Sequence, residues 1–268
     1  MLQSIREQVF AIQSGSNDGW KNVSHYTIFH EMLNSELPPE EKSTARLCDD
    51  GQVTVVAGTL TTAWALSVAT FYLLSQPDTL KRLKDELRTV IPQLSQQVPL
   101  SVLEQLPYLT ACIQESLRLS YGVSCRLQRI CPDEVLIFND GKVDWPIPPG
   151  TPVSMTSLLI HHNPKIFPDS NSFLPERWLE NPHLDKYLIS FSKGSRQCVG
   201  INLAYAELYL TLARIFRRYG SKDVYGEDDL GYLELFKTTL RDVEIVADLF
   251  VPHPASDSEG IRIRVKDL

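Results

Sequence analysis

The chain has 268 residues, with 26 Lys and Arg against 33 Asp and Glu and a formal charge of −7. That acidic balance, with no basic run interleaved with aromatics, argues against a nucleic-acid partner. Hydrophobic residues at 43% and charged residues at 22% are the proportions of an ordinary globular protein of one or two domains.

Residues 1 to 45 read as helical pieces joined by polar loops, with a clear break over Gln13-Ser-Gly-Ser-Asn-Asp-Gly19 and Pro39 near a helix start. Charges within the first ten residues, and no apolar run there, predict neither a signal peptide nor an N-terminal anchor. Val53 to Leu74 is uncharged and long enough to span a bilayer. Its six Ser and Thr positions and its mid-chain location favour a core helix that is apolar all round. Gln76-Pro77 ends that helix. Asp78 to Val90, with leucines at 80, 83 and 87, predicts an amphipathic helix whose charged residues form a solvated face.

Leu106 to Ser120 predicts a further helix, on which Glu115 and Arg118 lie three apart and can pair. Read alone, such a pair is an ordinary exposed one contributing less than about 1 kcal/mol. Ser124 to Pro132 reads as a strand, followed by Val135 to Phe138 with an Asn-Asp-Gly turn at 139–141. Ile147 to Met155 is a turn entering another strand. His161 and His162 are adjacent, cannot share one face as ligands, and read as structural.

The stretch Phe191-Ser-Lys-Gly-Ser-Arg-Gln-Cys-Val-Gly200 runs straight into an apolar helix pattern from Ile201 to Phe216. Gly194 and Gly200 permit a tight turn and close backbone approach to a flat ligand. A thiolate at Cys198 would meet the positive end of the following helix dipole, which suits an axial metal ligand. For the cysteine by itself the plainer reading is a buried structural thiol. Arg214, Arg217 and Arg218 complement the dipole at the helix's other end. The tail from Tyr225 to Val265 alternates like a short hairpin pair. The remaining cysteines, at 48, 112, 125 and 131, show no Cys-x-x-Cys or zinc spacing. With Cys198 the cysteines number five, an odd total that suits free thiols in a reducing compartment.

Phe191, Gly194, Arg196, Cys198 and Gly200 occupy every specified position of Phe-x-x-Gly-x-Arg-x-Cys-x-Gly. In this the chain resembles the cytochrome P450 family of haem-thiolate monooxygenases. The resemblance implies that Cys198 is the proximal haem-iron ligand, that Arg196 pairs with a haem propionate and that Phe191 packs beside the sulfur. Three more segments follow the family's order. Ala57-Gly-Thr-Leu-Thr-Thr62 resembles the distal oxygen-binding helix, where Gly58 leaves room for dioxygen and Thr61 relays protons. Leu60 stands at the position that is usually acidic and offers no titratable group. Glu115 and Arg118 match the family's Glu-x-x-Arg, and Phe173-Leu-Pro-Glu-Arg-Trp178 its Phe-x-Pro-Glu-Arg-Phe, with Trp178 in the last aromatic place. Arg177 would then join Glu115 and Arg118 in a buried structural triad. Arg129 falls where a second propionate partner sits, the alternative being a sheet-edge surface charge. Tyr121 to Cys125 would lie against the substrate.

The resemblance runs from about residue 25 to the end, and its wording is most like fungal members of the microsomal class. It implies a mostly α (α+β) fold, the C-terminal haem-ligand half of one cytochrome P450 domain over 1–268. Within it, 1–45 would hold entry helices, 46–120 the long distal helix and the Glu-x-x-Arg helix, and 121–190 β segments and the Pro-Glu-Arg segment. The cysteine loop and helix would occupy 191–220 and C-terminal hairpins 221–268. The implied reaction uses haem b to insert one oxygen atom of dioxygen into a lipophilic small molecule, with a role in fungal secondary metabolism. Electrons would come from NADPH through NADPH–cytochrome P450 reductase, docked on the cysteine face with the Arg214–Arg218 cluster as a pointer. The implied location is the cytoplasmic face of the endoplasmic reticulum membrane, this chain carrying neither anchor nor transmembrane segment. Two alternatives stand beside this: a haem-thiolate isomerase, dehydratase or peroxygenase, which needs no distal acid, and a non-catalytic truncated remnant.

Overall fold

The computed structural model describes residues 2–16 and 27–267, so residues 17–19 of the expected break lie outside the described residues. It divides into two compact units, 1–60 and 61–268.

In the first unit, helices α1 (Leu2–Gln13) and α2 (Ile28–Asn34) and a 3-10 turn over Pro39–Lys42 precede the start of α3 (Thr44–Ser75). Ile5, Val9, Phe29, Leu47 and Cys48 are buried together there, so each helix contributes one short apolar stripe.

Among the described residues the second unit takes the rest of α3 and six further α-helices: α4 (Pro77–Val90), α5 (Leu100–Leu103), α6 (Pro107–Ser120), α7 (Ser157–His161), α8 (Glu176–Glu180) and α9 (Ile201–Arg218). Proline opens both α4 and α6, a position where its missing N–H is not needed. The core gathers Leu80, Leu83 and Leu87 of α4, Leu109 and Ile113 of α6, and Leu208, Leu212 and Phe216 of α9. The 3.6-residue period of those sequences is thus spent on one shared core. Glu86 closes the joint between two of these helices, accepting from the Tyr108 and Leu109 N–H groups at 2.8 Å each. These are amides at the start of α6, which lack an intrahelical partner.

The expected helix at 53–74 forms within α3, but it is not buried all round. Val53 and Leu60 are 67% and 55% exposed, whereas Ala65, Val68, Ala69 and Leu73 are buried. The uniform apolarity of the stretch hides this division, because only the later turns meet packed partners. By length and composition alone α3 could cross a membrane. Its later turns behave as a core helix.

The charged face of α4 also needs correcting. Lys84 is 1% exposed, with its Nζ donating to Asp229 Oδ2 at 2.7 Å and to the carbonyls of Phe216 and Tyr219. A charge this deep is tolerated because it is fully paired.

The strands are short. β1 (Leu127–Ile130) pairs antiparallel with β4 (Pro152–Met155), placing Arg129 opposite Val153. β2 (Leu136–Asn139) and β3 (Asp144–Ile147) form the hairpin around the expected turn, with Phe138 opposite Trp145. The tail is more than two hairpins. β5 (Tyr219–Ser221) leaves α9 directly and runs parallel to β6 (Gly231–Leu235), which pairs antiparallel with β9 (Ile263–Asp267). Only β7 (Ala247–Leu249) and β8 (Val251–His253) make a local hairpin. The architecture is mostly α with small β segments, the fold class expected from the sequence.

Candidate functional site

The segment from Phe191 to Gly200 is a tight loop closed on itself. The Cys198 N–H donates to the Phe191 carbonyl at 2.9 Å, and the Gln197 N–H to the Gly194 carbonyl at 3.0 Å. Closing it needs left-handed backbone at Ser192 (φ 60°) and Gly194 (φ 77°), the second being where glycine carries no steric cost. Gly200 is the residue before α9, and a Cβ there would lie 3.9 Å from Cys198 Sγ, so the sulfur sits at the mouth of the helix.

Cys198 is exposed, and Val199 beside it is wholly so. Phe191 is half-buried, its ring 5.3 Å from that of Tyr205, and packs on the main core. The loop is therefore anchored at Phe191 while its thiol faces outward. This does not match the plain reading of a buried structural cysteine, which Cys112, fully buried, does satisfy.

Arg196 is exposed on the same loop. Arg129 reaches it from β1: one guanidinium nitrogen donates to Ser192 Oγ at 3.4 Å and another to the Gln128 carbonyl at 2.8 Å. One soft thiol, exposed Val199 and Arg196 thus share this loop, with exposed Leu203 on the first turn of α9 and Arg129 reaching the loop at Ser192. That donor set fits a flat, apolar iron porphyrin with two carboxylates, because thiolate is a soft ligand and guanidinium matches carboxylate geometry.

A buried ion network joins α6 to α8. The Glu115 carboxylate accepts from Arg118 Nε and Nη2 at 2.9 and 2.8 Å, and from Arg177 Nε at 3.1 Å. The Trp178 indole and the Leu174 N–H add two more bonds at 2.9 Å each. Arg118, itself 0% exposed, spends its remaining donors on the carbonyls of His161, Ser170 and Ser172. Arg177 does likewise on Pro168 and Asp169. The i,i+3 spacing on α6 is therefore a buried knot binding α6, α8 and the loop before α8, and not the exposed pair that spacing alone suggests.

Sequence reasoning missed the Trp178 bond, because an aromatic place reads as packing and its N–H gives no periodic signal. It read His161 as structural without showing how. His161 Nδ1 donates to the Arg118 carbonyl at 2.9 Å, and Nε2 accepts the Ile189 N–H at 3.1 Å. Burial pushes its pKa down to about 3, against the weaker opposing effect of the Arg118 carbonyl bond. It ties the knot to the segment entering the cysteine loop. His162 instead contacts the Tyr121 hydroxyl at 2.6 Å. Tyr121 ends α6 in the left-handed region and is buried, and burial raises its pKa. Gly122 follows at φ 70°, where a Cβ would come 2.2 Å from the Ser190 carbonyl oxygen, so only glycine lets this turn lie against the strand of chain before Phe191.

Gly58 lies on α3 in the first unit, while Thr61, half-buried, begins the second. Leu60, between them, is exposed. The Arg214–Arg218 cluster is less of a surface than its sequence suggests: Phe216 is 0% and Arg217 2% exposed.

A sequence model described as Cytochrome P450 matches residues 22–236. Among curated proteins, cytochrome P450 monooxygenase tpcC of Cochliobolus heterostrophus is 53% identical over 98% of this chain and 50% of its own length. Cytochrome P450 monooxygenase astB of Talaromyces wortmannii is 53% identical over 99% of this chain and 55% of its own. Tryptophan 6-hydroxylase fscE of Fusarium equiseti is 40% identical over 99% of this chain and 50% of its own. The chain spans about half the length of the curated relatives it matches. With the loop, the knot and these likenesses agreeing, the chain belongs to the cytochrome P450 family.

Proposed function

We propose that this chain carries the cysteine-ligand part of a haem monooxygenase that inserts one oxygen atom of dioxygen into a lipophilic small molecule of fungal secondary metabolism. The observation that carries the reading is the exposed Cys198 thiol, held in a self-closed loop with Arg196 and Arg129 beside it. Cys198 would ligate the iron of haem b, Arg196 and Arg129 would take its propionates, and Phe191, Gly194 and Gly200 would keep the loop flat against it. Haem bound there supplies dioxygen activation, one oxygen atom entering the substrate and the other leaving as water, with two electrons drawn from NADPH through a partner reductase. Gly58 would leave space on the distal side, and Thr61 Oγ1 would hand protons to the reacting centre. The Glu115, Arg118 and Arg177 knot keeps the chain entering the loop in register. We read 1–268 as part of one such domain, working at the cytoplasmic face of the endoplasmic reticulum.

Leu60 favours a second reading. With no acid at that place, proton delivery rests on Thr61 and solvent, which suits a haem-thiolate isomerase, dehydratase or peroxygenase. The test of the first reading is the difference spectrum of the reduced, carbon-monoxide-bound chain purified with added haem. The strongly red-shifted Soret band of a thiolate complex, lost in Cys198→Ser, is expected. An unshifted band, or no retained haem, would leave the chain as a non-catalytic remnant. Once haem is retained, Leu60→Glu separates the two chemistries: turnover with reductase rises if the missing acid limits the first, and stays flat under the second.

A further inference from the structure

At the far end of α9 from Cys198 lies a cavity of about 370 Å³, bounded by the C-terminal half of the helix and the segment that follows α4. Its lining residues on α9, 210 to 218, lie about 14 to 26 Å along the helix from the thiol end. Its walls combine apolar side chains, Val98, Leu103 and Leu210 among them, with three arginines, Arg214, Arg217 and Arg218. Among the described residues no carboxylate lines it. In a chain of net charge −7 this is a local reversal of sign, facing a partly enclosed space lined by both polar and apolar groups.

Cations at a helix C-terminus complement its dipole, and that explains why arginines occur here. It does not explain how they are spent. Arg217, 2% exposed, donates from Nε to the Ile91 carbonyl at 2.5 Å. Its Nη2 donates to the Pro92 carbonyl at 2.9 Å and to Asp228 Oδ2 at 2.5 Å. Its Nη1 is buried and has no hydrogen-bond partner among the described residues. A buried guanidinium donor left unmade is costly, and native proteins rarely keep one without a use. Arg218 is braced against the Leu94 and Arg214 carbonyls at 3.1 and 3.2 Å, and Arg214 is exposed. Asp228, itself half-exposed, is the one carboxylate bonded to these arginines among the described residues. Of the three guanidiniums, Arg217 alone is paired with a carboxylate among the described residues, beside a wall that includes apolar side chains.

We propose that this cavity binds a small organic anion, its phosphate or carboxylate taken by Arg214, Arg217 and Arg218 and its apolar body by Val98, Leu103 and Leu210. The arginine fork matches either anion. The volume is that of a small-ligand site of about 300–1,000 Å³. Ser95, Gln96 and Gln97 add neutral polar groups to the same wall. The site is separate from the cysteine loop, so occupancy does not depend on haem.

Isothermal titration of the full chain with octyl phosphate tests this, with octanol and inorganic phosphate as its apolar and anionic halves. Saturable one-to-one binding of octyl phosphate is expected, at least about tenfold tighter than either half alone and weaker as salt is added. Arg214→Glu changes an exposed side chain and should weaken octyl phosphate binding by roughly tenfold or more. Its thermal melting should be unchanged, and Arg214→Lys should restore most of the affinity. Octanol binding as tightly as octyl phosphate would reduce the site to an apolar crevice and overturn the proposal. So would an affinity untouched by Arg214→Glu, or no saturable heat up to about 5 mM ligand.

Discussion

The Glu115 knot and the Cys198 loop are both built from charged or reactive side chains in the second unit, yet they are treated in opposite ways. At Glu115 every described donor and acceptor is matched: one carboxylate receives five bonds, and each arginine spends its surplus on backbone carbonyls. At Cys198 the backbone is satisfied while the side chains of Cys198, Val199 and Arg196 stand open. One region uses charge to fix the fold, the other holds chemistry in reserve on a backbone fixed by its neighbour. The two should therefore come apart under mutation.

The largest effect is expected at the knot. Glu115→Gln keeps the shape but leaves Arg118 and Arg177 buried without their counter-charge. It also leaves fewer acceptors for the Trp178 and Leu174 N–H groups. Breaking a buried pair in this way costs on the order of 3–5 kcal/mol, a large part of a typical domain's stability. Urea unfolding of the apo chain should show it as a lower midpoint, or as a protein that does not accumulate folded. A midpoint within experimental error of the parent would mean the knot is ornamental.

His161 sharpens the same comparison through pH. In the folded chain its pKa is about 3, because burial disfavours the charged ring, whereas an exposed histidine titrates near 6.5. Between those values the unfolded state binds the extra proton, so stability falls as pH falls. The slope is about 1.4 kcal/mol per pH unit below 6.5, or about 2 kcal/mol between pH 7 and pH 5. His162, also lowered by burial, adds in the same direction. Urea midpoints measured across that range should drop, and His161→Gln, starting from a lower stability, should flatten the slope. An unchanged slope in that variant would assign the acid sensitivity elsewhere.

How much of this was legible in the sequence follows from the range of each interaction. The helices at 77–90, 107–120 and 201–218 show because leucine spacing is a local, periodic signal. The Phe191–Gly200 loop shows because the turn needs glycine at Gly194 and the chemistry needs a cysteine at one place. Lys84 did not show, since its partner Asp229 lies far along the chain and nothing on α4 sets it apart from its solvated neighbours. The half-exposed α3 did not show either, because an apolar run carries no mark of which turns meet partners. Parallel pairing of β5 with β6 was equally hidden, being a long-range choice made where α9 ends.

A smaller step tests the bond that the sequence concealed. Trp178→Phe restores the aromatic usual at that place in the family and removes one donor to Glu115. A hydrogen bond to a charged group contributes about 1.5–3 kcal/mol, and four other donors remain on the carboxylate, so a loss near the lower end, about 1.5 kcal/mol, is expected. Urea unfolding measures it, and a gain in stability would show that the indole is held for packing reasons alone.

The smallest effect belongs to the residue with the most chemistry. Cys198→Ser removes an exposed sulfur whose loop is closed by its own amide, and Ser keeps that amide. Exposed substitutions away from caps and cores stay within about 0.5 kcal/mol, so the apo chain should unfold at nearly the parent urea concentration. The carbon-monoxide spectrum should nevertheless lose its thiolate signature completely. If the serine variant were instead destabilised as much as Glu115→Gln, the sulfur would be part of the packed structure. The division between a fixed knot and an open loop would then fail, because it requires that stability be blind to Cys198.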